Sequence, residues 1–205
     1  MNTLNYILSR KLMALVRMDS KEKGQELADT LVGAGIRVIE ITLTTPGAEK
    51  IISTLVKNKE LTVGAGTVLT VKDVKKAENA GAKFIVSPDT NEDVIKASKK
   101  LGLISMPGVA TASEVAIALE SGADILKLFP ASTYGPSHLK ALRDPFPGKL
   151  WCPTGGITLS SVDDWFAAGA SLIGLGGPLT KGGLDKVSEN VTSFTNAVAA
   201  ANKVG

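Results

Sequence analysis

Short apolar runs alternate along this chain with longer segments in which apolar residues recur at every third or fourth position. The short runs predict buried strands, and the recurring period predicts helices that turn one apolar face toward a core. Eight strands are predicted, at residues 12–17, 34–41, 61–68, 80–87, 103–109, 121–128, 150–157 and 168–175. The clearest helical patterns lie at residues 21–34, 70–82, 91–102, 111–123 and 160–170. Helix N-caps are predicted at Asp19, Thr70, Thr111 and Ser160.

A small residue followed by glycine opens every second predicted strand, as in AGIRVIEI, AGAKFIVS, SGADILKL and AGASLIGL. Strands that alternate with helices predict parallel β-α-β units. Eight such units predict an α/β protein with a (β/α)8 TIM barrel, as a single domain over residues 1–205. The segment before Leu12 is predicted to form a short N-terminal helix over the barrel floor. A doubly wound open sheet is the alternative, although its G-x-G-x-x-G turn after the first strand is missing from the sequence.

The repeat also sets a register for the barrel interior. Five residues beyond the repeat glycines the chain carries Glu40, Val86, Lys127 and Gly174. Side chains from alternate strands fill such interiors in layers. We therefore expect Glu40 and Lys127 to point inward in one layer, with Gly174 leaving space beside them.

A lysine inside the apolar run ILKLF needs an explanation, because burying an ammonium group is unfavourable unless the group is paired or neutral. One interpretation is a buried ion pair between Lys127 and Glu40, which contributes little net stability. The interpretation that we prefer makes Lys127 a nucleophilic amine, since an amine in an apolar pocket can form a Schiff base with a ketone. Glu40 is then the general acid and base.

Further candidates lie where the predicted strands end, the edge at which barrel enzymes place their active sites. The sequence PTGGI contains Gly155 and Gly156, and GLGG contains Gly176 and Gly177; these pairs predict a phosphate site or else plain turns. Arg17, in ALVR, is expected to bind a carboxylate or phosphate, or else to pair with a loop aspartate such as Asp19.

Two more residues at the same edge are weaker candidates. Thr67, in GAGTV, places a hydroxyl at the end of the third predicted strand, where it could bind an oxygenated ligand. Pro88, in the sequence SP, is expected to shape the mouth of the pocket beside the fourth strand.

Composition narrows the classes of function. A net charge of +3 and 4% aromatic residues give no basic, aromatic-rich surface for nucleic acid. We expect no membrane partner, because no signal-peptide pattern and no apolar run of membrane-spanning length is present. One cysteine, Cys152, and one histidine, His138, cannot form a Cys/His zinc site, so no metal is expected. The single cysteine also fits a reducing cytoplasm.

Three reactive side chains are set aside. His138 is expected near the start of a surface helix, Cys152 within the core of the seventh strand, and Lys100 at a solvated helix end.

Several motifs now occur together and in order: EITLTT with Glu40, GAGTVLT with Thr67, FIVSP with Pro88, MPGVATASE, LKLFPAS with Lys127, and PTGGI. Over Leu12 to Leu179 the chain resembles the 2-keto-3-deoxy-6-phosphogluconate (KDPG) / 4-hydroxy-2-oxoglutarate (KHG) aldolase family. The sequence TYGPSHLKAL is also similar to the 2-keto-3-deoxy-6-phosphogalactonate branch. The resemblance implies a (β/α)8 barrel, usually a homotrimer, and a metal-independent class I lyase with no cofactor. Its substrate would be a phosphorylated keto acid, as in the Entner–Doudoroff route, cleaved to pyruvate and glyceraldehyde 3-phosphate.

The resemblance also implies roles for individual residues. Lys127 would form the imine with the substrate ketone, and Glu40 would move protons. Thr67 and Thr154 would hold the pyruvate portion, and Arg17 an anionic end of the substrate. The phosphate site would be formed by Gly155, Gly156, Gly176 and Gly177.

Two positions depart from the family pattern. Thr44 stands where gluconate-type enzymes often carry arginine. Gly177, followed by Pro178, stands after GLG, where many members have a phosphate-binding serine. Because this barrel hosts many chemistries, two other functions stay open: a phosphosugar isomerase or epimerase that uses Glu40 without an imine, and a non-catalytic protein that binds a phosphorylated metabolite.

Overall fold

The computed structural model describes residues 2–202; Met1 and residues 203–205, which the predicted domain 1–205 includes, lie outside the described residues. Ten α-helices are formed within this range. They are α1 Thr3–Arg10, α2 Lys21–Gly33, α3 Ala48–Leu55, α4 Val71–Asn79, α5 Glu92–Lys100, α6 Ala112–Glu120, α7 Ala131–Arg143, α8 Val162–Ala167, α9 Gly177–Thr180 and α10 Val187–Ala201. Two 3-10 helices, Leu159–Ser161 and Leu184–Lys186, precede α8 and α10.

The strands form a curled parallel sheet and a separate pair. They are β1 Leu12–Val16, β2 Val38–Thr42, β3 Thr62–Gly66, β4 Phe84–Val86, β5 Ile104–Met106, β6 Gly108–Val109, β7 Lys127–Leu128 and β8 Ile173–Leu175. Six of them pair in the order β5-β4-β3-β2-β1-β8, and β6 pairs with β7. The protein is thus an α/β fold built on parallel strands, as the sequence predicts.

The predicted strand at 150–157 is the main difference from the sequence prediction. This segment forms only isolated parallel bridges, from Trp151 to Leu126 and from Thr154 to Gly174. Pro153 interrupts the ladder because it has no N–H to donate, and Gly155 and Gly156 then turn the chain with positive φ. Proline also divides the predicted fifth strand, whose two parts, β5 and β6, lie on either side of Pro107.

The glycines of the repeat end helices rather than begin strands. Gly35, Gly81, Gly122 and Gly169 all have φ between 94° and 104°, a region that favours glycine because it has no Cβ. After α2, the N–H of Gly35 donates to Val32 and that of Ile36 to Leu31, the paired bonds of a Schellman cap. The repeat is therefore a helix cap followed by a strand entry, and each strand begins later than predicted.

Two of the four predicted N-caps are correct. The hydroxyls of Thr70 and Thr111 accept hydrogen bonds from the first turns of α4 and α6. Asp19 was a wrong prediction, because Ser20 caps α2 and Asp19 instead pairs with Lys23 at 3.0 Å. Ser160 was also wrong, since a 3-10 turn over Leu159–Ser161 precedes α8.

The apolar side chains form two clusters. The larger one packs the outward faces of the strands against the helices and includes Leu126 and Leu128. The smaller one lies on the inner side of the curled strands, with Met13, Phe84 and Cys152 among its members. Ile7 of α1 is fully buried in this inner cluster, so the N-terminal helix covers the end of the fold opposite the strands' carboxyl ends. No helix within the described part of the chain has the length and apolar character to cross a membrane.

Candidate active site

The two predicted catalytic side chains are buried on the inner side of the strands. Glu40 lies in the middle of β2, where it pairs with Leu15 of β1 and Gly64 of β3. Lys127 begins β7 and pairs with Gly108 of β6. The side chains of Glu40 and Lys127 are 1% and 5% exposed, respectively. Since Leu126 and Leu128 belong to the outer cluster, alternation along the strand turns Lys127 inward.

The carboxylate of Glu40 occupies space that a glycine leaves open. A Cβ placed on Gly66 would lie only 1.7 Å from Oε1 of Glu40, so the carboxylate rests against the β3 backbone. Gly64 makes room in the same way for the ring of Phe84. The other carboxylate oxygen, Oε2, is buried and has no hydrogen-bond partner. A buried acceptor without a partner is unfavourable and is suited to meet a ligand or a proton.

Burial changes the acidity of Glu40. Desolvation raises its pKa above the usual 4.5, and the nearby charges of Lys127 and Arg17 lower it only in part. A carboxyl group with a raised pKa stays protonated to higher pH and is a stronger base once ionised, and both properties favour a general acid and base.

Lys127 lies in an apolar setting. Its Nζ is 4.8 Å from the centre of the Phe129 ring, close enough for a cation–π contact. Within residues 2–202, no ion pair joins Lys127 to a carboxylate, so the paired-charge interpretation is not supported by a direct contact. Cys152 lies in the same interior and is fully buried, which raises the pKa of its thiol to about 12. It is a core residue, as the sequence predicts.

A cavity of about 370 Å³ opens where the strands end, within the usual range for small-ligand sites. The predicted site residues that line it are Arg17, Thr154, Gly155, Gly156, Gly176 and Gly177. Phe129 also lines it and connects it to Lys127, whose amine lies over the same ring. Four predicted site residues are not among its lining residues: Lys127, Glu40, Thr67 and Pro88.

Arg17 and Thr67 are joined directly at this edge. Nη2 of Arg17 donates to Oγ1 of Thr67 at 3.0 Å. Asp19 is not its partner, which excludes the salt bridge considered from the sequence. Thr67 has a φ of 55°, and such a conformation is strained for a β-branched residue. Strain of this kind is found preferentially at functional sites.

Thr154 reaches into the interior because the facing residue is glycine. A Cβ on Gly174 would lie 2.3 Å from Oγ1 of Thr154, so Gly174 leaves the space that its place in the inner layer predicts. The same hydroxyl donates to the carbonyl of Cys152 at 3.3 Å.

The two glycine pairs lie side by side at the cavity. Gly155 and Gly156 have φ of 96° and 74°, a conformation that lets their peptide groups turn toward the cavity. In the described hydrogen bonds, the N–H groups of Gly155, Gly156 and Gly177 donate to no backbone carbonyl. They are free to bind an anion.

The remaining predicted residues have structural contacts. The carbonyl of Pro88 packs against Gly108, where a Cβ would lie 2.2 Å from it, so Pro88 lies beside the strand pair that carries Lys127. His138 contacts the carbonyl of Ala110 at 2.7 Å and stacks on Tyr134. Lys100 is the last residue of α5.

Some functional positions were not singled out from the sequence. Gly64 and Gly66 make room for interior side chains, and the GAG run in an otherwise apolar strand is the signal that could have identified them. Thr180 lines the cavity but follows no recognisable motif. The described residues contain no group of three His, Cys, Asp or Glu side chains placed to hold a metal ion.

Comparison with known proteins adds an independent line of evidence. A family model described as KDPG and KHG aldolase matches residues 4–193. A probable 2-dehydro-3-deoxy-6-phosphogalactonate aldolase of Rhizobium meliloti (strain 1021) is 36% identical over 180 residues, which cover 86% of this chain and 85% of that protein.

Two solved structures agree in fold. A structure described as native KDPGal superposes with a TM-score of 0.88 at 31% identity, covering 94% of this chain and 96% of the other. KDPG aldolase from Legionella pneumophila, with pyruvate captured as a covalent carbinolamine intermediate, gives a TM-score of 0.81 at 28% identity and covers 98% of both chains.

Proposed function

The chain belongs to the KDPG and KHG aldolase family and is therefore a carbon–carbon lyase; we propose that it cleaves a 2-keto-3-deoxy-6-phospho sugar acid to pyruvate and glyceraldehyde 3-phosphate. The sugar acid is of the gluconate or the galactonate type. The same site would also cleave 4-hydroxy-2-oxoglutarate, to pyruvate and glyoxylate.

One observation carries this proposal: a buried lysine that forms no ion pair within residues 2–202 lies on the inner side of the strands, as does a buried carboxylate whose pKa is raised. An isomerase or epimerase would need the carboxylate but would leave the buried amine of Lys127 without a role. Covalent catalysis by the amine accounts for both groups.

The first half of the reaction belongs to Lys127. Its free amine attacks the C2 carbonyl of the substrate and forms a carbinolamine. Loss of water then gives a protonated imine, and the proton that the departing hydroxyl needs comes from an acid such as Glu40. The positive imine is the electron acceptor for the next step.

The second half needs a base. The Glu40 carboxylate removes the proton of the C4 hydroxyl, directly or through a water molecule. The C3–C4 bond breaks, its electron pair enters the imine to give an enamine, and the aldehyde leaves. Glu40 returns the proton to C3, and water hydrolyses the resulting pyruvate imine to restore the Lys127 amine.

Residues at the mouth would hold the two ends of the substrate. The guanidinium of Arg17 is the cation that lines the cavity, and it is suited to bind the substrate carboxylate. Thr67, which orients Arg17, and Thr154 would hold the pyruvate portion, and Pro88 would shape the wall beside Lys127. The phosphate would bind over the glycine loops at Gly155, Gly156, Gly176 and Gly177.

We also propose that the strands close into a full (β/α)8 barrel in one domain. Three hydrogen bonds support closure between the six-stranded sheet, the β6–β7 pair and the segment at 150–157. The N–H of Asp124 donates to Ser105, that of Cys152 to Leu126, and that of Gly174 to Pro153. A cytoplasmic location fits phosphorylated substrates and the single cysteine.

A homotrimer is proposed from family membership alone. Light scattering on the purified protein is expected to give three times the mass of one chain. A mass equal to one or two chains would reject the trimer without affecting the proposed reaction.

Borohydride trapping tests the proposed mechanism directly. Incubation with pyruvate and sodium borohydride is expected to reduce the imine to a stable secondary amine, which peptide mass mapping would locate at Lys127. Samples without pyruvate, or without borohydride, provide the controls. If correctly folded protein gives no adduct, the covalent mechanism is wrong, and a reaction that uses Glu40 alone becomes the better explanation.

A further inference from the structure

We propose that Lys181 is the side-chain ligand for the substrate phosphate, although it lies outside the cavity and outside every motif described above. The inference rests on the proposed function, because it assigns a cation to the phosphate end of that substrate. Gly177 has no side chain to bind the phosphate, and Lys181 would supply that side-chain contact.

A second depression adjoins the cavity and shares a wall with it. This groove, of about 490 Å³, is lined by Lys181 and by residues of α10. Four residues line both the cavity and the groove: Gly156, Ile157, Gly177 and Pro178. The glycine loops are therefore the boundary between the two spaces, and a phosphate bound on them would be accessible from the groove as well.

The position of Lys181 follows from the short helix α9. Lys181 directly follows α9, four positions beyond Gly177, and its ψ of 125° ends the helix. Its φ of −59° is still helical, so its side chain leaves the backbone on the same side as Gly177. A Cβ placed on Gly177 would meet no atom within 4 Å, so the space beside this glycine is open. The four-carbon side chain of a lysine can cross such a space.

The backbone that carries Lys181 is fixed by the last helix. The side-chain amide of Asn190 in α10 donates to the carbonyls of Leu179 and Lys181, at 3.1 Å and 2.9 Å. These two bonds hold the end of α9 against α10. The lysine is thus anchored at its backbone, while its side chain is exposed.

Charge favours an anion at this place. Lys181 is the only charged residue that lines the groove, and no carboxylate of residues 2–202 forms an ion pair with it. Of the described residues that line the cavity, only Arg17 is charged, and one of its nitrogens is already bound to Thr67. If Arg17 holds the carboxylate end of the substrate, the phosphate end needs a second cation, and lysine is a common phosphate ligand.

The test compares Lys181→Ala with Lys186→Ala. Lys186 is a matched control, because it lies on the same loop but pairs with Glu189 at 2.8 Å and lines neither space. The assay measures kcat/KM for the phosphorylated keto acid and for its unphosphorylated analogue. In Lys181→Ala the ratio of the two values is expected to fall about tenfold, the lower end for a hydrogen bond to a charged group. Lys186→Ala should keep the wild-type ratio, and Lys181→Arg should restore most of it.

Calorimetry with inorganic phosphate gives a readout that needs no turnover. The dissociation constant is expected to rise about tenfold in Lys181→Ala and to stay unchanged in Lys186→Ala. A wild-type ratio in Lys181→Ala, or a wild-type enzyme without preference for the phosphorylated substrate, would overturn the assignment and leave the aldolase function standing. If neither the phosphorylated keto acid nor its unphosphorylated analogue is cleaved, the proposed function is wrong. The dissociation constants for inorganic phosphate then decide whether Lys181 binds phosphate.

Discussion

Lys127→Ala is expected to lower kcat by at least about 10⁴-fold and to abolish borohydride trapping of pyruvate, because loss of a catalytic nucleophile removes the covalent pathway itself. The variant keeps Glu40, Arg17 and the glycine loops, so substrate should still bind. Turnover measured through pyruvate release, together with peptide mass mapping, checks both expectations.

The fold should survive this change. No ion pair within residues 2–202 includes Lys127, so its removal breaks none. Lys127→Met, which keeps most of the side-chain volume beside Phe129, is the second variant in case alanine leaves a harmful cavity. Lys100→Ala, at the exposed end of α5, is the control for lysine removal. Wild-type turnover in a folded Lys127→Met protein, or an adduct at another lysine, would reject the assignment.

Much of the architecture could be predicted from the sequence because apolar periodicity reports local structure and burial together. The repeat placed Lys127 and Glu40 on the inner face of their strands, and both side chains are buried there. The prediction of a regular strand at 150–157 was wrong because an apolar pattern says nothing about backbone hydrogen bonding at proline and glycine. Pro153 lacks a donor and two glycines bend the chain, so this segment keeps bridges at Trp151 and Thr154 only.

The site was less predictable than the fold because contacts between distant segments decide it. The sequence offered Asp19 as a partner for Arg17, two residues away, but the structure joins Arg17 to Thr67, fifty residues away. The space for Glu40 depends on Gly66 of the neighbouring strand. The sequence alone does not distinguish Gly66 from other small residues, because the pairing of the two strands is not known from it. Lys181 carries no sequence signal at all, since only its place beside Gly177 singles it out.

Burial of Glu40 connects activity with stability, and this leads to the second large prediction. Glu40→Gln keeps the shape of the side chain and removes its ability to exchange a proton. We expect kcat to fall by about 10²–10⁴-fold, the usual contribution of a general acid and base. Trapping of pyruvate should persist at a reduced rate, because the amine of Lys127 is intact. The two variants therefore separate the two roles. Lys127→Ala should lose the trapped pyruvate adduct, whereas Glu40→Gln should lose turnover and keep the adduct.

The same substitution should change the pH dependence of stability in a known direction. Burial raises the pKa of Glu40 in the folded protein above 4.5, so the folded state holds this proton more tightly than the unfolded chain does. Below pH 4.5 both states are protonated and the residue contributes no difference. As the pH rises from there toward the raised pKa, the wild type loses stability, because the unfolded chain releases this proton while the folded protein still holds it. Above the raised pKa both states are ionised and the loss levels off. A glutamine never ionises and avoids this loss.

Thermal unfolding of wild type and Glu40→Gln across the pH range therefore tests the electrostatics of the site without any substrate. The Tm of the variant should exceed that of the wild type at pH 8, and the difference should shrink toward pH 4.5. Arg17 and Lys127 lower the pKa of Glu40 only in part, so their attraction is smaller than the desolvation that opposes it. If the Tm of Glu40→Gln, measured relative to that of the wild type, is lower at pH 8 than at pH 5, the attraction of Arg17 and Lys127 for the Glu40 carboxylate outweighs its desolvation. Glu40 would then be a structural counter-ion, and a carboxylate held ionised by its neighbours would be a poor proton donor for the steps assigned to it.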